Sequence, residues 1–435
     1  MNVKEMYKAK LKHPMEAVGL VQSGDRVLTP LSNGIPIALM KALTARTDLE
    51  DVSLYSGIEL FPLETYGPKS NPGLKIHSIF LGPAVRPGVQ HGWITHTPGR
   101  LAEAPEIVRR HLPMDVVMMV VSPMDEHGFF SSGTNADYAY TVAKMPRTRN
   151  VIVQVSENMP RTWGDNHLHI SEVSAVVEFT QPLVELPEIP MTKEDETIGG
   201  LVAEMIEDGS TLQLGIGGIP NAVGHFLGSR KDLGIHTEMF SDAMLELYLQ
   251  GAVTGRCKTL KPGKWIGCFI LGTNKLYKFV HDNPMTEIHS SEWVNDPAVI
   301  GLNEKMVSIN TAVEADLTGQ VNAETIGRIP YSGTGGFVDF IEGCWRSKGG
   351  KSFIALYSTY TDKEGQQKSR IVSTLFPGSA VTGIRSQVQY IVTEYGVALM
   401  KGMSLRQRAR NLIAIAHPDF RDQLTFEAKQ LRILD

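Results

Sequence analysis

The chain has 435 residues, more than the roughly 250–300 over which a single hydrophobic core keeps growing, so two domains are expected. Hydrophobic residues make up 42% and charged residues 20%, a globular balance that excludes a disordered or fibrous chain. Lys and Arg number 42 against 47 Asp and Glu, for a net charge of −5, so the basic excess with which nucleic-acid binders neutralise phosphates is missing.

Residues 1–21 carry Lys4, Glu5, Lys8, Lys10 and Lys12 where a secretory signal needs an apolar stretch, and they read as an amphipathic helix of a cytoplasmic protein. Next comes a Gly turn at Gly24, a strand, and Gly34-Ile35-Pro36 opening a helix; the same series recurs as Gly209, a strand, and Gly218-Ile219-Pro220. Pro36 is followed by Asp48-Leu49 and Pro220 by Asp232-Leu233, so the intervening helices match in length. Further on, the apolar run Val116–Val121 precedes Asp125-x-x-Gly128-x-x-Ser131, and a second strand precedes Asp316-x-x-Gly319-x-x-Asn322. That run is far short of the roughly 20 residues that span a bilayer, and no membrane association is expected. Gly133-Thr134 with Asp137-Tyr138, and Gly333-Thr334 with Asp339-Phe340, lead into the strands near 151 and 352.

The strands are continuous apolar runs with helices between them, which predicts two structurally related open α/β domains with mainly parallel sheets. Pro182, Pro187 and Pro190 precede a helix start at Thr192, with Asp195 placed to complete its cap, so the domains are set at 1–190 and 191–435.

Several familiar patterns fail on inspection. Gly215-Ile216-Gly217-Gly218-Ile219 resembles a dinucleotide fingerprint, but Pro220 stands where the third glycine belongs. Gly350-Lys351-Ser352 resembles the end of a phosphate loop, but Trp345 replaces its first glycine. Neither a nucleotide cofactor nor a metal is expected: His167 and His169 lack a third ligand, and Cys257, Cys268 and Cys344 lack close pairing and read as buried free thiols. What remains is a glycine-rich loop and a carboxylate. Gly215, Gly217 and Gly218 sit between a strand and a helix opening at Pro220, where their amides suit an oxyanion or phosphate; a tight turn needing positive φ is the alternative. Glu238 closes the next strand, at the carboxyl edge where open parallel sheets place their sites; a capping or ion-pairing role is its alternative. The matching place in the first copy offers Leu54 or Tyr55, so the duplicated scaffold is expected to carry the carboxylate once.

Stretches 121–133, 158–164, 215–223, 236–242, 308–324, 332–340, 369–372, 392–402 and 415–421 together resemble the acetyl-CoA hydrolase/transferase family, of the 4-hydroxybutyrate CoA-transferase type. The resemblance implies a duplicated CoA-transferase fold and Glu238 as a covalent nucleophile. It implies that Gly215, Ile216, Gly217, Gly218 and Ile219 hold CoA, that Val313, Gly335 and Gly336 line its channel, and that the protein is a homodimer. The expected activity passes CoA from an acyl-CoA such as acetyl-CoA to 4-hydroxybutyrate, butyrate or a similar acid, through a glutamyl-CoA thioester. An acyl-CoA hydrolase and a non-catalytic CoA-binding module are the alternatives. A glutamate with its ordinary pKa of about 4.3 is ionised at neutral pH and needs no activating base, which suits a sequence without a G-x-S-x-G elbow.

Overall fold

The computed structural model describes residues 2–187 and 190–435, and Glu188 and Ile189 of the proline-rich connection lie outside the described residues. By contacts the chain forms two compact units. The first holds the described residues of Met1–Pro187 with Glu238–Asp242 and Lys264–Asn295; the second holds those of Glu188–Thr237 with Ala243–Gly263 and Asp296–Asp435. Two segments from the later half of the sequence are therefore counted with the first unit. Inside it, Met239–Phe240 pairs in parallel with Phe269–Ile270, and the Ile270 N–H donates to Thr134 O at 2.8 Å.

The first unit is built on a seven-stranded sheet in the order Ile94–His96, Leu74–Ser78, Val52–Gly57, Arg26–Leu31, Val116–Val121, Asn150–Val155, Ala175–Glu178. All its pairings are parallel. Every residue of Val116–Val121 is buried, because helices cover both faces and leave no side for polar alternation. On one face Leu39, Met40 and Leu43 of the helix Ile37–Thr44 pack with Val27, Leu54, Val116 and Ile152. Each such side chain contributes roughly 1.5–3 kcal/mol on burial.

The second unit repeats the plan with a six-stranded sheet: Gly234–Ile235, Thr211–Leu214, Met306–Thr311, Lys351–Ala355, Tyr390–Thr393, Gly396–Leu399. The last strand alone is antiparallel to its neighbour. Setting aside Ile94–His96 and Leu74–Ser78, which extend the first sheet at one edge, and the antiparallel last strand of the second leaves one shared order, with the second remaining strand in sequence beside the first and the third on its other side. The repeat read in the sequence is thus a repeat of topology. Such sheets have a switch point between their first and third strands, and ligands bind at its carboxyl end. In the second unit it lies between Thr211–Leu214 and Met306–Thr311, joined across the gap by the reciprocal amide bonds of Gln213 and Asn310 at 3.2 and 3.3 Å.

The helix start at Thr192 forms as expected, over Lys193–Glu204: Thr192 Oγ1 accepts the Asp195 N–H, and the Asp195 carboxylate accepts the Thr192 N–H. One cysteine departs from its expectation. Cys268 and Cys344 are buried, but Cys257 is exposed in the loop after the helix Asp242–Leu249. Among the described residues no helix is long and apolar enough to cross a membrane.

Candidate active site

The glycine loop follows Leu214 at the switch point of the second unit. Its first amide, from Gly215, donates to Ile309 O of the neighbouring strand at 3.1 Å and fixes the loop to the sheet edge. Gly217 has φ +116°, a conformation that side chains rarely adopt, and a Cβ added there meets nothing within 4 Å. Both readings of the loop are thus compatible with it: a turn that requires glycine, and an approach left open. Gly218 is glycine for a different reason, since a Cβ there would sit 2.6 Å from the Asp195 carboxylate that caps the adjoining helix. The following helix spans Gly218–Phe226, starting two residues earlier than expected; Pro220 falls inside its first turn, where a missing N–H costs no intrahelical bond. Ile216 is exposed and Ile219 buried, so they serve the surface and the core respectively.

Val313 lies just past the end of Met306–Thr311, on the other side of the switch point. Its N–H donates to Asn322 O at 2.8 Å, and its carbonyl accepts Arg370 Nη1 at 2.9 Å. Gly335, at φ +51°, and Gly336 precede the helix Phe337–Arg346, with Gly336 as its N-cap. Two helix N-termini in this unit therefore begin with glycines at the carboxyl edge of one sheet, an arrangement that suits an anion.

Glu238 follows the strand Gly234–Ile235, whose pairing with Thr211–Leu214 continues through the His236 N–H to Leu212 O at 3.1 Å. Buried Lys258 steadies this strand end by donating to Ile235 O at 2.7 Å. Glu238 itself is half-buried, while His236, Thr237, Met239 and Phe240 around it are buried. Its carbonyl accepts the N–H groups of Cys268 and Phe269 at 3.0 and 3.1 Å and the Cys268 thiol at 3.2 Å. Its carboxylate Oε2 accepts Asn295 Nδ2 at 2.9 Å. Asn295 is fully buried, so the amide that meets the carboxylate is held in place. Sequence reading missed this residue. Asn295-Asp296-Pro297 reads as a turn before a helix, which it also is, with the Asp296 side chain accepting the Ala298 N–H.

The counterpart of Glu238 needs correction. Setting the Gly turns at Gly24 and Gly209 against each other matches Val27 to Leu212, and register carries the match across each sheet: Val27 pairs with Leu54 and Val116, Leu212 with Ile235 and Val307. Leu54 then matches Ile235, and Gly57, rather than Leu54 or Tyr55, matches Glu238. A carboxylate does follow, at Glu59, but it is fully buried with Ser56 Oγ at 2.7 Å and the Gly82 N–H at 3.0 Å, closed to a substrate. The chain turns away from the edge at Ile58, with φ +49°. His167 and His169 lie on a short strand paired with Phe129–Ser131, His169 Nδ1 meets Ser171 Oγ at 2.7 Å, and burial holds His167 below its ordinary pKa. Among the described residues no group of three or more His, Cys, Asp or Glu is placed to hold a metal.

Residues 1–186 match the acetyl-CoA hydrolase/transferase N-terminal domain, and residues 272–428 the C-terminal domain of the same family. The chain belongs to the acetyl-CoA hydrolase/transferase family. Within it, the chain is 45% identical over 426 residues to a succinyl-CoA:cyclohexane-1-carboxylate CoA transferase of Geobacter metallireducens, covering 98% of this chain and 96% of the relative. It is 43% identical over 438 residues to a 4-hydroxybutyrate coenzyme A transferase of Clostridium kluyveri, covering 99% and 100%. A butyryl-CoA:acetate CoA-transferase of Anaerostipes caccae is 42% identical over 444 residues, covering 100% and 99%. The crystal structure of a 4-hydroxybutyrate CoA-transferase from Porphyromonas gingivalis shares the fold at TM-score 0.80 and 35% identity, over 98% of this chain and 99% of that one. The protein is an enzyme of this family that transfers coenzyme A.

Proposed function

We propose that this enzyme passes CoA from an acyl-CoA, acetyl-CoA foremost, to a short-chain carboxylate such as 4-hydroxybutyrate or butyrate, through a thioester on Glu238. The observation that carries the reading is a half-buried carboxylate whose main chain and side chain are both fixed, the latter by Asn295. The Glu238 carboxylate attacks the acyl-CoA carbonyl and expels CoA thiolate, leaving an acyl-glutamyl anhydride. The thiolate then attacks the glutamyl carbonyl, forms the glutamyl-CoA thioester and releases the donor acid. The acceptor carboxylate enters by the reverse sequence. Thioester energy is conserved, so the exchange needs no nucleotide. Asn295 Nδ2, which now donates to the carboxylate, then faces the glutamyl carbonyl oxygen and stabilises the charge that each tetrahedral adduct puts there.

In this reading Gly215, Ile216, Gly217, Gly218 and Ile219 hold CoA and supply oxyanion amides, and Val313, Gly335 and Gly336 line the CoA channel. The place of the first loop and of Val313 at the switch point, and of Gly335 and Gly336 at a helix start on the same sheet edge, supports it. The domain boundary near 190 is supported by the family domain that ends at residue 186. Homodimeric assembly and a cytoplasmic location belong to the same reading. The test is trapping: incubation with acetyl-CoA followed by borohydride, which reduces thioesters and spares carboxylates, should inactivate the enzyme and mark the peptide containing Glu238. Borohydride without acyl-CoA should have no effect, and a mark on another residue removes Glu238 from the mechanism.

A further inference from the structure

Residues 134–137, which the function above does not use, meet the nucleophile's surroundings from two directions. The N–H groups of Ala136 and Asp137 both donate to Cys268 O at 3.0 Å, while Cys268 N–H and its neighbour Phe269 N–H hold the Glu238 carbonyl. On the other side, Asp137 O accepts the Ser291 N–H at 2.9 Å at the start of the helix Ser291–Val294; Asn295 N–H donates to Ser291 O at 2.9 Å, and the Asn295 side chain holds the Glu238 carboxylate. One peptide segment thus sits behind both the main chain and the side chain of Glu238.

That segment has a shape the backbone does not adopt unaided. Asp137 has φ +22°, a conformation rare outside glycine. Its carboxylate holds it there: Oδ2 accepts Leu31 N–H at 3.1 Å and Asn135 Nδ2 at 3.0 Å, and Oδ1 accepts Ala139 N–H at 2.8 Å. Every partner is a donor, so a proton on either oxygen would point at another hydrogen. We infer that Asp137 is a positioning residue for the nucleophile, whose buried carboxylate fixes the turn that aligns Glu238 and Asn295 with each other.

Burial raises the Asp137 pKa to about 6, so at neutral pH its ionisation opposes folding; an asparagine would avoid that opposition, but it offers one acceptor oxygen in place of two and turns its NH2 toward a donor that the carboxylate now satisfies. The titratable groups on the segments packed around it are Tyr138, which Glu59 and Tyr66 also influence, and Cys268 and Glu238.

The inference rests on Glu238 as nucleophile, and the experiment separates the two. In full-length Asp137→Asn we expect kcat to fall about 10- to 100-fold, KM for acetyl-CoA to stay within about twofold, and borohydride trapping of Glu238 to slow in the same proportion. The wild-type kcat should fall as pH drops through about 6 with an unchanged circular dichroism spectrum, and the variant should lack that limb. Failure to trap Glu238 in the wild type overturns the nucleophile and the inference with it. Trapping in the wild type with equal kcat in a folded Asp137→Asn overturns the positioning role alone, as does an acid limb that persists in the variant, which then belongs to Glu238. Should Asp137→Asn not fold, a wild-type profile flat between pH 5 and 8 overturns it.

Discussion

Glu238→Gln keeps the size of the side chain and an oxygen for Asn295, but removes the nucleophilic charge; transfer should fall by on the order of 10⁴-fold with CoA binding intact, read by steady-state rates and calorimetry. Asn295→Asp tests the same contact from the other side. It sets a second carboxylate where a donor now lies 2.9 Å from Glu238, and like charges raise a pKa, so trapping of Glu238 should weaken more at pH 6 than at pH 8. Trapping with the wild-type pH dependence would show that the amide is dispensable. Asp137 makes a prediction about stability. Its folded pKa is raised to about 6 from 3.8, so the proton is bound more tightly in the folded chain; the stability this gives is full below about pH 3.8 and is lost as pH rises through 6. A difference of that size corresponds to about 3 kcal/mol. Urea denaturation should therefore show the wild type losing stability relative to Asp137→Asn between pH 4 and 7, and a constant difference would mean that the carboxyl titrates normally.

The two glycines of the loop separate by what surrounds them. At Gly217 the obstacle is conformation, at φ +116° in open space; at Gly218 it is collision with the Asp195 carboxylate. Gly218→Ala should displace Asp195, disturbing the cap of the helix Lys193–Glu204 and its hydrogen bond from Tyr357 OH, for a loss of roughly 1–2 kcal/mol by chemical denaturation. Gly217→Val should leave that cap intact yet lower turnover sharply, because the amide direction at the helix start changes. A folded Gly217→Val with unchanged kcat would return the loop to the tight-turn reading. Glycine positions were legible in the sequence; which one needs a dihedral angle and which one needs space was not, because that depends on Asp195, far off in the chain and close in the fold.

At the scale of the whole molecule, cutting at the proline-rich connection does not separate the two units cleanly. Segments 238–242 and 264–295 are counted with the first unit, so residues 191–435 expressed alone carry Phe240, Trp265 and Phe269 without part of the packing that buries them. That fragment should bind hydrophobic dyes strongly, aggregate on warming and transfer no CoA. A soluble, active fragment would show that Glu238 needs nothing from residues 1–190.

The sequence determined the α/β class and the duplication, for one physical reason: each is a local or periodic property. Apolar runs without alternation mean strands covered on both faces, and the twice-repeated Gly-Ile-Pro spacing meant two copies of one sheet topology. Thr192 and Asp195 formed the cap they promised because capping is settled within four residues. Tertiary structure decided everything that joins residues distant in the chain. It set Asn295 against Glu238 across 57 positions, placed Asp137 behind both, matched Gly57 to Glu238 by register, and buried Glu59 where a glance at the repeat expected no carboxylate. Hydrogen bonds of this kind depend on how strands and turns are brought together, and no spacing along the sequence encodes them.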